Sequence, residues 1–142
     1  MEKEWRQIRK ISSIIKSMPK VLLIDDEVAI LDVLEMLLVS EGYDVYKSNS
    51  GEAGLKIAEK HIPDIIILDI MMPKMSGYMV SNLLTKNNKL KHIPILLLTA
   101  TSQMAGNIIL QTQAQHKLSK PFKPEELLMT LKTMLSANKT LS

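Results

Sequence analysis

Pro63-Asp64-Ile65-Ile66-Ile67-Leu68-Asp69 is the stretch on which the fold turns. Four apolar residues in a row, three of them β-branched, show no polar alternation between the opening proline and the closing carboxylate. A run of that length and type reads as a strand buried on both faces, the position of a central strand in a parallel sheet. Pro94-Ile95-Leu96-Leu97-Leu98-Thr99 repeats the pattern. A sheet buried on both faces needs helices over each face, and the sequence supplies them on either side of these runs.

Upstream, Lys20-Val21-Leu22-Leu23-Ile24-Asp25 predicts the first strand, and residues 27–40 carry Ile30, Leu31, Leu34, Leu37 and Leu38 at helical spacing. Glu41-Gly42 predicts the end of that helix, where glycine is free to take the left-handed conformation. Residues 43–47 predict the second strand, and Ser50-Gly51-Glu52 opens a helix over about 53–60. Downstream of Asp69, a Met-Pro-Lys-Met-Ser-Gly loop leads into a helix over about 78–87. A further helix is predicted near 103–113, a short fifth strand at 117–119 and a last helix over about 124–137, with Pro124 in its first turn. Five alternating βα units predict an α/β fold, a flavodoxin-like doubly wound five-stranded parallel sheet of order 2-1-3-4-5 with helices on both faces.

The 142 residues suffice for one domain with its own core, and 46% apolar and 23% charged residues are ordinary for a globular protein. The absence of cysteine excludes disulfides and thiol chemistry. His61, His92 and His116 lie far apart without ligand spacing. No apolar run is long enough to span a bilayer and no secretory signal is evident, so Asn138-Lys139-Thr140 reads as a chance match to the glycosylation pattern and a cytoplasmic location is expected. Of the 18 basic and 15 acidic residues, five and two lie within 1–19, leaving thirteen of each in 20–142. The basic character therefore belongs to a leader, and no nucleic-acid partner is expected for the rest.

In a sheet of this order, ligands sit outside the carboxyl ends of the strands near the point where the order reverses. Strand one is followed by Asp25, Asp26 and Glu27, strand three ends in Asp69, strand four in Thr99, and Lys120-Pro121 follows strand five. Carboxylates brought together repel one another unless a cation neutralises them, and an oxygen-only set suits Mg²⁺. A carboxylate at the tip of a rigid strand also serves as a nucleophile toward phosphorus, which Asp69 is placed to do, with the metal and Lys120 stabilising charge on the phosphoryl oxygens. Taken singly, each group has a plainer reading: acidic residues after a strand cap or polarise the next helix, and a lone Thr or Lys is structural or solvated. The joint pattern favours the chemistry.

From Lys20 to about Ala137 the sequence resembles the receiver domain of bacterial-type two-component response regulators. The resemblance rests on Val21-Leu-Leu-Ile-Asp-Asp-Glu27, Pro63-Asp-Ile-Ile-Ile-Leu-Asp-Ile-Met-Met-Pro73, Ser76-Gly77, Leu98-Thr-Ala100 and Ser119-Lys-Pro-Phe122. It implies that Asp69 is the phospho-acceptor. It further implies that Asp26, Asp69 and the backbone carbonyl of Met71 ligate Mg²⁺ directly, with Asp25 acting through water. Lys120 pairs with Asp69 before transfer and with the phosphoryl group afterwards, Thr99 swings toward a phosphoryl oxygen, and the Lys120-Pro121 bond is cis. The domain reading is a basic amphipathic leader over 1–19, a receiver domain over 20–137 and a tail over 138–142.

Several positions depart from the family pattern. Lys117 stands where receivers carry the Tyr or Phe that reports the Thr99 movement, Ala114-Gln115-His116 lack an acidic pair, and the stretch from Thr99 to Lys120 is about one residue short. Phosphorylation with an altered readout is the expectation. Residues 100–116 contain no Asp, Glu, Lys or Arg, so Ile108, Ile109 and Leu110 face either the core, with Gln111, Gln113 and Gln115 outside, or a partner. Met71, Met72, Met75 and Met79 read as core or loop filling rather than an adaptable surface, and Lys86, Lys89 and Lys91 as a solvated loop. In the leader, Trp5, Ile8, Ile11, Ile15 and Met18 recur at helical spacing among basic residues; such a helix either docks on a partner, a membrane surface or a second subunit, or frays.

The function expected is a phosphorylation-activated switch charged by a histidine kinase or a histidine phosphotransfer protein. With few residues after the last helix, it is expected to act through protein contacts with an output partner and to catalyse nothing beyond its own phosphoryl transfer and loss; an origin as a receiver excised from a larger protein stays open. A Mg²⁺-dependent phosphohydrolase would need a second Asp two residues after the nucleophile, where Met71 stands. A receiver-like binding module that works without phosphorylation would not need Asp25, Asp26, Asp69, Thr99 and Lys120 together. Met71 and Thr101 flank the approach of an attacking water without a charged group, so slow self-hydrolysis is expected.

Overall fold

The structure, a computed structural model, describes residues 1–100 and 116–141. In chain order the elements are α1 (Glu2–Ser17), β1 (Lys20–Ile24), α2 (Val28–Ser40), β2 (Asp44–Ser48), α3 (Gly51–His61), β3 (Ile65–Asp69), α4 (Gly77–Lys86), β4 (Ile95–Thr99), β5 (His116–Ser119) and α5 (Pro124–Leu141). The helix expected over 103–113 lies outside the described residues, as do Thr101, Ile108, Ile109, Leu110, Ala114 and Gln115.

The five strands form one sheet of order β2-β1-β3-β4-β5, parallel throughout. Every residue of β3 and β4 is buried, which is what an apolar run without alternation requires. Side chains alternate across the sheet and separate the core into two layers. Leu22, Ile24, Ile66 and Leu68 pack with Ala58 of α3 and with Val80 and Leu84 of α4. Val21, Leu23, Ile65 and Ile67 pack with Leu31, Leu34 and Leu38 of α2 and with Leu127, Leu131 and Met134 of α5. Helices thus cover both faces, as the sequence led us to expect.

Local chemistry sets the helix ends. Ser50 and Ser76 cap α3 and α4, their hydroxyls accepting from the Ala53 and Met79 amides at 3.2 and 3.3 Å. The Ser50 cap starts α3 at Gly51, two residues earlier than predicted. At the end of α2, Gly42 takes φ +91°, and the amides of Gly42 and Tyr43 donate back to the Val39 and Leu38 carbonyls at 3.1 and 3.0 Å. That pair of bonds is a Schellman closure, which needs the left-handed residue that glycine supplies. Tyr43, expected in the second strand, lies instead in this closure as a buried residue before β2.

One further expectation is corrected, and the leader is seen as a helix. Met72 is buried and Met75 packs partly against the core, but Met71 and Met79 are exposed, so the methionine group is not all filling. Helix α1 buries none of its residues, and its apolar stripe is open to solvent along its length.

Candidate functional site

The carboxyl ends of β1, β3 and β4 meet at the middle of the sheet, with the turn after β5 alongside. Asp69 ends β3 and Asp25 directly follows its neighbour β1, so parallel pairing sets the two carboxylates side by side. Asp25 and Asp69 are buried and Asp26 is half-buried; one carboxylate oxygen from each lies within 4.8 Å of the others. The predicted acidic patch is therefore assembled as the strand order required.

The carboxylates are held by backbone amides and one ammonium. Asp69 Oδ1 accepts from the Met71 amide at 3.2 Å, and Asp25 Oδ1 accepts from the Glu27 amide at 3.0 Å. Lys120 Nζ donates to Asp25 Oδ2 at 3.0 Å and lies 3.7 Å from Asp69 Oδ2. The Lys120–Asp69 pair that the resemblance implies is present, but the ammonium is shared with Asp25 and sits closer to it. The reason is geometric: the Lys120 amide is pinned to the Thr99 carbonyl at 2.7 Å, and the stem crosses the ends of β4 and β3 to reach β1. The Lys120-Pro121 bond is cis, as expected.

Burial raises the Asp69 pKa to about 6, and the charge of Asp25 pushes the same way; Lys120 and the Met71 amide only partly offset them. Burial draws the Lys120 ammonium downward, but its contacts with Asp25 and Asp69 outweigh this and hold its pKa above the ordinary lysine value. One ammonium thus stands against three carboxylates. The oxygen-only donor set and its excess negative charge fit a hard cation.

Thr99 is buried, and its hydroxyl is unpartnered among the described residues. A buried hydroxyl without a partner costs about 1–3 kcal/mol. Thr99 follows Leu98, the residue that pairs with Asp69 across the sheet. Lys117, on the edge strand β5, is exposed and points away from the face that Leu118 packs. A charged side chain on an edge strand discourages pairing with another chain.

Two features escaped the sequence reading. Gly77 begins α4 against the backbone of β3, and a Cβ there would run into the Asp69 carbonyl and the Ile70 Cα. Its amide also donates to the Ile70 carbonyl at 3.0 Å, so glycine lets α4 brace the strand end that presents Asp69. Next to Lys120, an open apolar groove of about 690 Å³ runs between Ile30, Val33 and Leu37 of α2 and Pro121 and Phe122. The signal lay in residues 28–40, which hold more apolar side chains than one buried stripe can use: Val28, Val33, Met36 and Val39 are all exposed.

A family model described as the response regulator receiver domain matches residues 21–132. The chain is 38% identical over 119 residues to the DNA-binding dual master transcriptional regulator RpaA of Synechocystis sp., an alignment covering 83% of this chain and 49% of the relative. The chain thus spans about half the length of the curated relatives it matches. Among solved structures, chemotaxis protein CheY4 of Vibrio cholerae superposes with a TM-score of 0.79 at 35% identity, over 83% of this chain and 99% of that one. The receiver domain of sensor histidine kinase PA1611 from Pseudomonas aeruginosa, which carries a magnesium ion in its active site cleft, superposes at 0.78 with 29% identity, over 84% and 99%.

Proposed function

This chain belongs to the response regulator receiver family of two-component systems, and from that premise we propose that it is a switch charged by phosphoryl transfer to Asp69. The observation that carries the reading is the convergence of Asp25, Asp26 and Asp69 with the Lys120 ammonium and the Thr99 hydroxyl, which is unpaired among the described residues. The donor is the phosphohistidine of a histidine kinase or a phosphotransfer protein.

Asp25, Asp26, Asp69 and the Met71 carbonyl are the groups we assign to Mg²⁺, which when bound neutralises the carboxylates and polarises the phosphoryl oxygens. An Asp69 carboxylate oxygen attacks phosphorus in line. The new P–O bond forms as the P–N bond to the donor imidazole breaks, and the departing nitrogen keeps the electron pair and takes a proton. Lys120 leaves its shared position between two carboxylates to pair with the phosphoryl oxygens. The Thr99 hydroxyl gains the partner it lacks, and that movement carries the signal outward. With an exposed lysine at 117 in place of an aromatic ring, the signal leaves the site by another route. The groove beside Lys120 suits the approach of the donor, because apolar side chains docked on α2 would bring a phosphohistidine to the end of β3.

We place the switch in the cytoplasm, where its donor works. Among the described residues no helix is long and apolar enough to cross a membrane. Incubation with acetyl phosphate and Mg²⁺ followed by hydroxylamine tests the reading. An aspartyl phosphate gives a Mg²⁺-dependent label that hydroxylamine removes, whereas a hydroxylamine-resistant label, or sustained turnover of phosphate esters, would contradict it.

A further inference from the structure

We propose that helix α1 is a docking element that lies along an anionic lipid surface. Trp5, Ile8, Ile11, Ile14 and Ile15 are each more than half exposed, and no residue of α1 is buried. Their spacing puts them on one side of the helix, with Met18 continuing the stripe. The other side carries Lys3, Arg6 and Lys10 along one flank and Arg9 and Lys16 along the other. Two acidic residues oppose this charge: Glu2, 3.8 Å from Arg6 on the basic side, and Glu4, one turn before Ile8 at the N-terminal end of the apolar side. An apolar face bordered on both sides by basic residues, with a tryptophan at its edge, is the arrangement that rests in the headgroup region of a bilayer.

Charge chooses among the occupants. A second copy of α1 would bring like-charged flanks together and offers only about two heptads of stripe, short of what a coiled coil sustains. A nucleic acid would satisfy the basic residues but leave Trp5 and four isoleucines exposed to water. An anionic bilayer satisfies both faces at once. Met18-Pro19 joins α1 to β1, so lipid contact through α1 uses none of the side chains at the Asp69 site and holds whether or not Asp69 is phosphorylated.

Trp5 is the only tryptophan, so its emission reports on α1 alone. The full chain is titrated with vesicles of mixed phosphatidylglycerol and phosphatidylcholine and with vesicles of phosphatidylcholine alone, following sedimentation and Trp5 emission. Binding with a blue shift on the anionic vesicles only, weakened by salt, is the expected result. Basic residues near an anionic surface each contribute roughly fivefold in affinity, so Arg9→Gln/Lys10→Gln lowers partitioning by about 25-fold. Ile8→Ser/Ile15→Ser abolishes binding while the urea midpoint of the folded body stays unchanged. Equal binding to both vesicle types, or no binding to either, overturns the proposal. So does a blue shift in lipid-free buffer with a doubled sedimenting mass, which assigns α1 to a second copy, or retention on duplex DNA without a Trp5 shift.

Discussion

Lys120, which follows the edge strand β5, reaches across the ends of two intervening strands to within 3.0 Å of Asp25 at the end of β1. This one contact ties the edge of the sheet to its centre and places the site's one cation among the described residues between two buried carboxylates. Lys120→Ala leaves Asp25 and Asp69 facing each other with only the Glu27 and Met71 amides to hold them. Because the Lys120 side chain is partly exposed, we expect a loss of about 2 kcal/mol rather than the larger cost of a fully buried pair. The Asp69 pKa also climbs further above about 6. Urea unfolding and a carboxyl NMR titration check the two effects.

Asp69 has a higher pKa in the folded chain than in the unfolded one, about 6 against 3.8. The folded state binds the extra proton across that window, so this group's contribution is greatest below pH 4 and is lost as pH rises through 6. At neutral pH without divalent cations the raised pKa lowers stability by linkage. Asp69→Asn is therefore more stable than wild type by an amount that grows from pH 4 to pH 6 and then levels off. Parallel stability curves for the two proteins across this range would contradict the assignment.

Thr99→Val removes a hydroxyl that is unpartnered among the described residues and keeps the shape of the side chain. We expect a gain of about 1 kcal/mol in the unmodified protein, because an unsatisfied buried polar group is destabilising. The variant still accepts a phosphoryl group but loses the change at the site that follows. Thermal unfolding of the free form, with chemical-shift comparison of the two forms, separates these outcomes.

Gly77→Ala pushes a methyl group into the backbone of Asp69 and Ile70. Backbone cannot yield as a flexible side chain can, and the expected cost is about 2–4 kcal/mol, at the upper end of overpacking. Phosphorylation slows as well, since the strand end that carries Asp69 is displaced. A urea midpoint unchanged from wild type would show that α4 can move aside.

Most of the sheet was legible in the sequence because 65–68 and 95–98 carry unbroken apolar runs that only a two-sided core accommodates. The acidic patch followed from strand order, since Asp25 and Asp69 end adjacent strands. What the sequence left open depends on distances between elements far apart in the chain. Nothing in residues 20–27 says that Lys120 favours Asp25 over Asp69; the span of its stem across the sheet does. The exposure of Met71 and Met79 depends on how the β3–α4 loop lies, where Lys74 takes φ +66°, a left-handed conformation uncommon for a lysine. Tyr43 looked like strand because aromatic residues favour strands, yet the closure at Gly42 takes it into the turn.

The central claim is that Asp69 accepts a phosphoryl group in a reaction that needs the acidic cluster and a divalent cation. Intact mass after incubation with a small phosphodonor, with and without Mg²⁺, on wild type and Asp69→Asn, tests it most directly. The expected result is a gain of one phosphoryl group in wild type with Mg²⁺ alone, absent from the variant. A gain in both proteins, or in neither, would contradict the account.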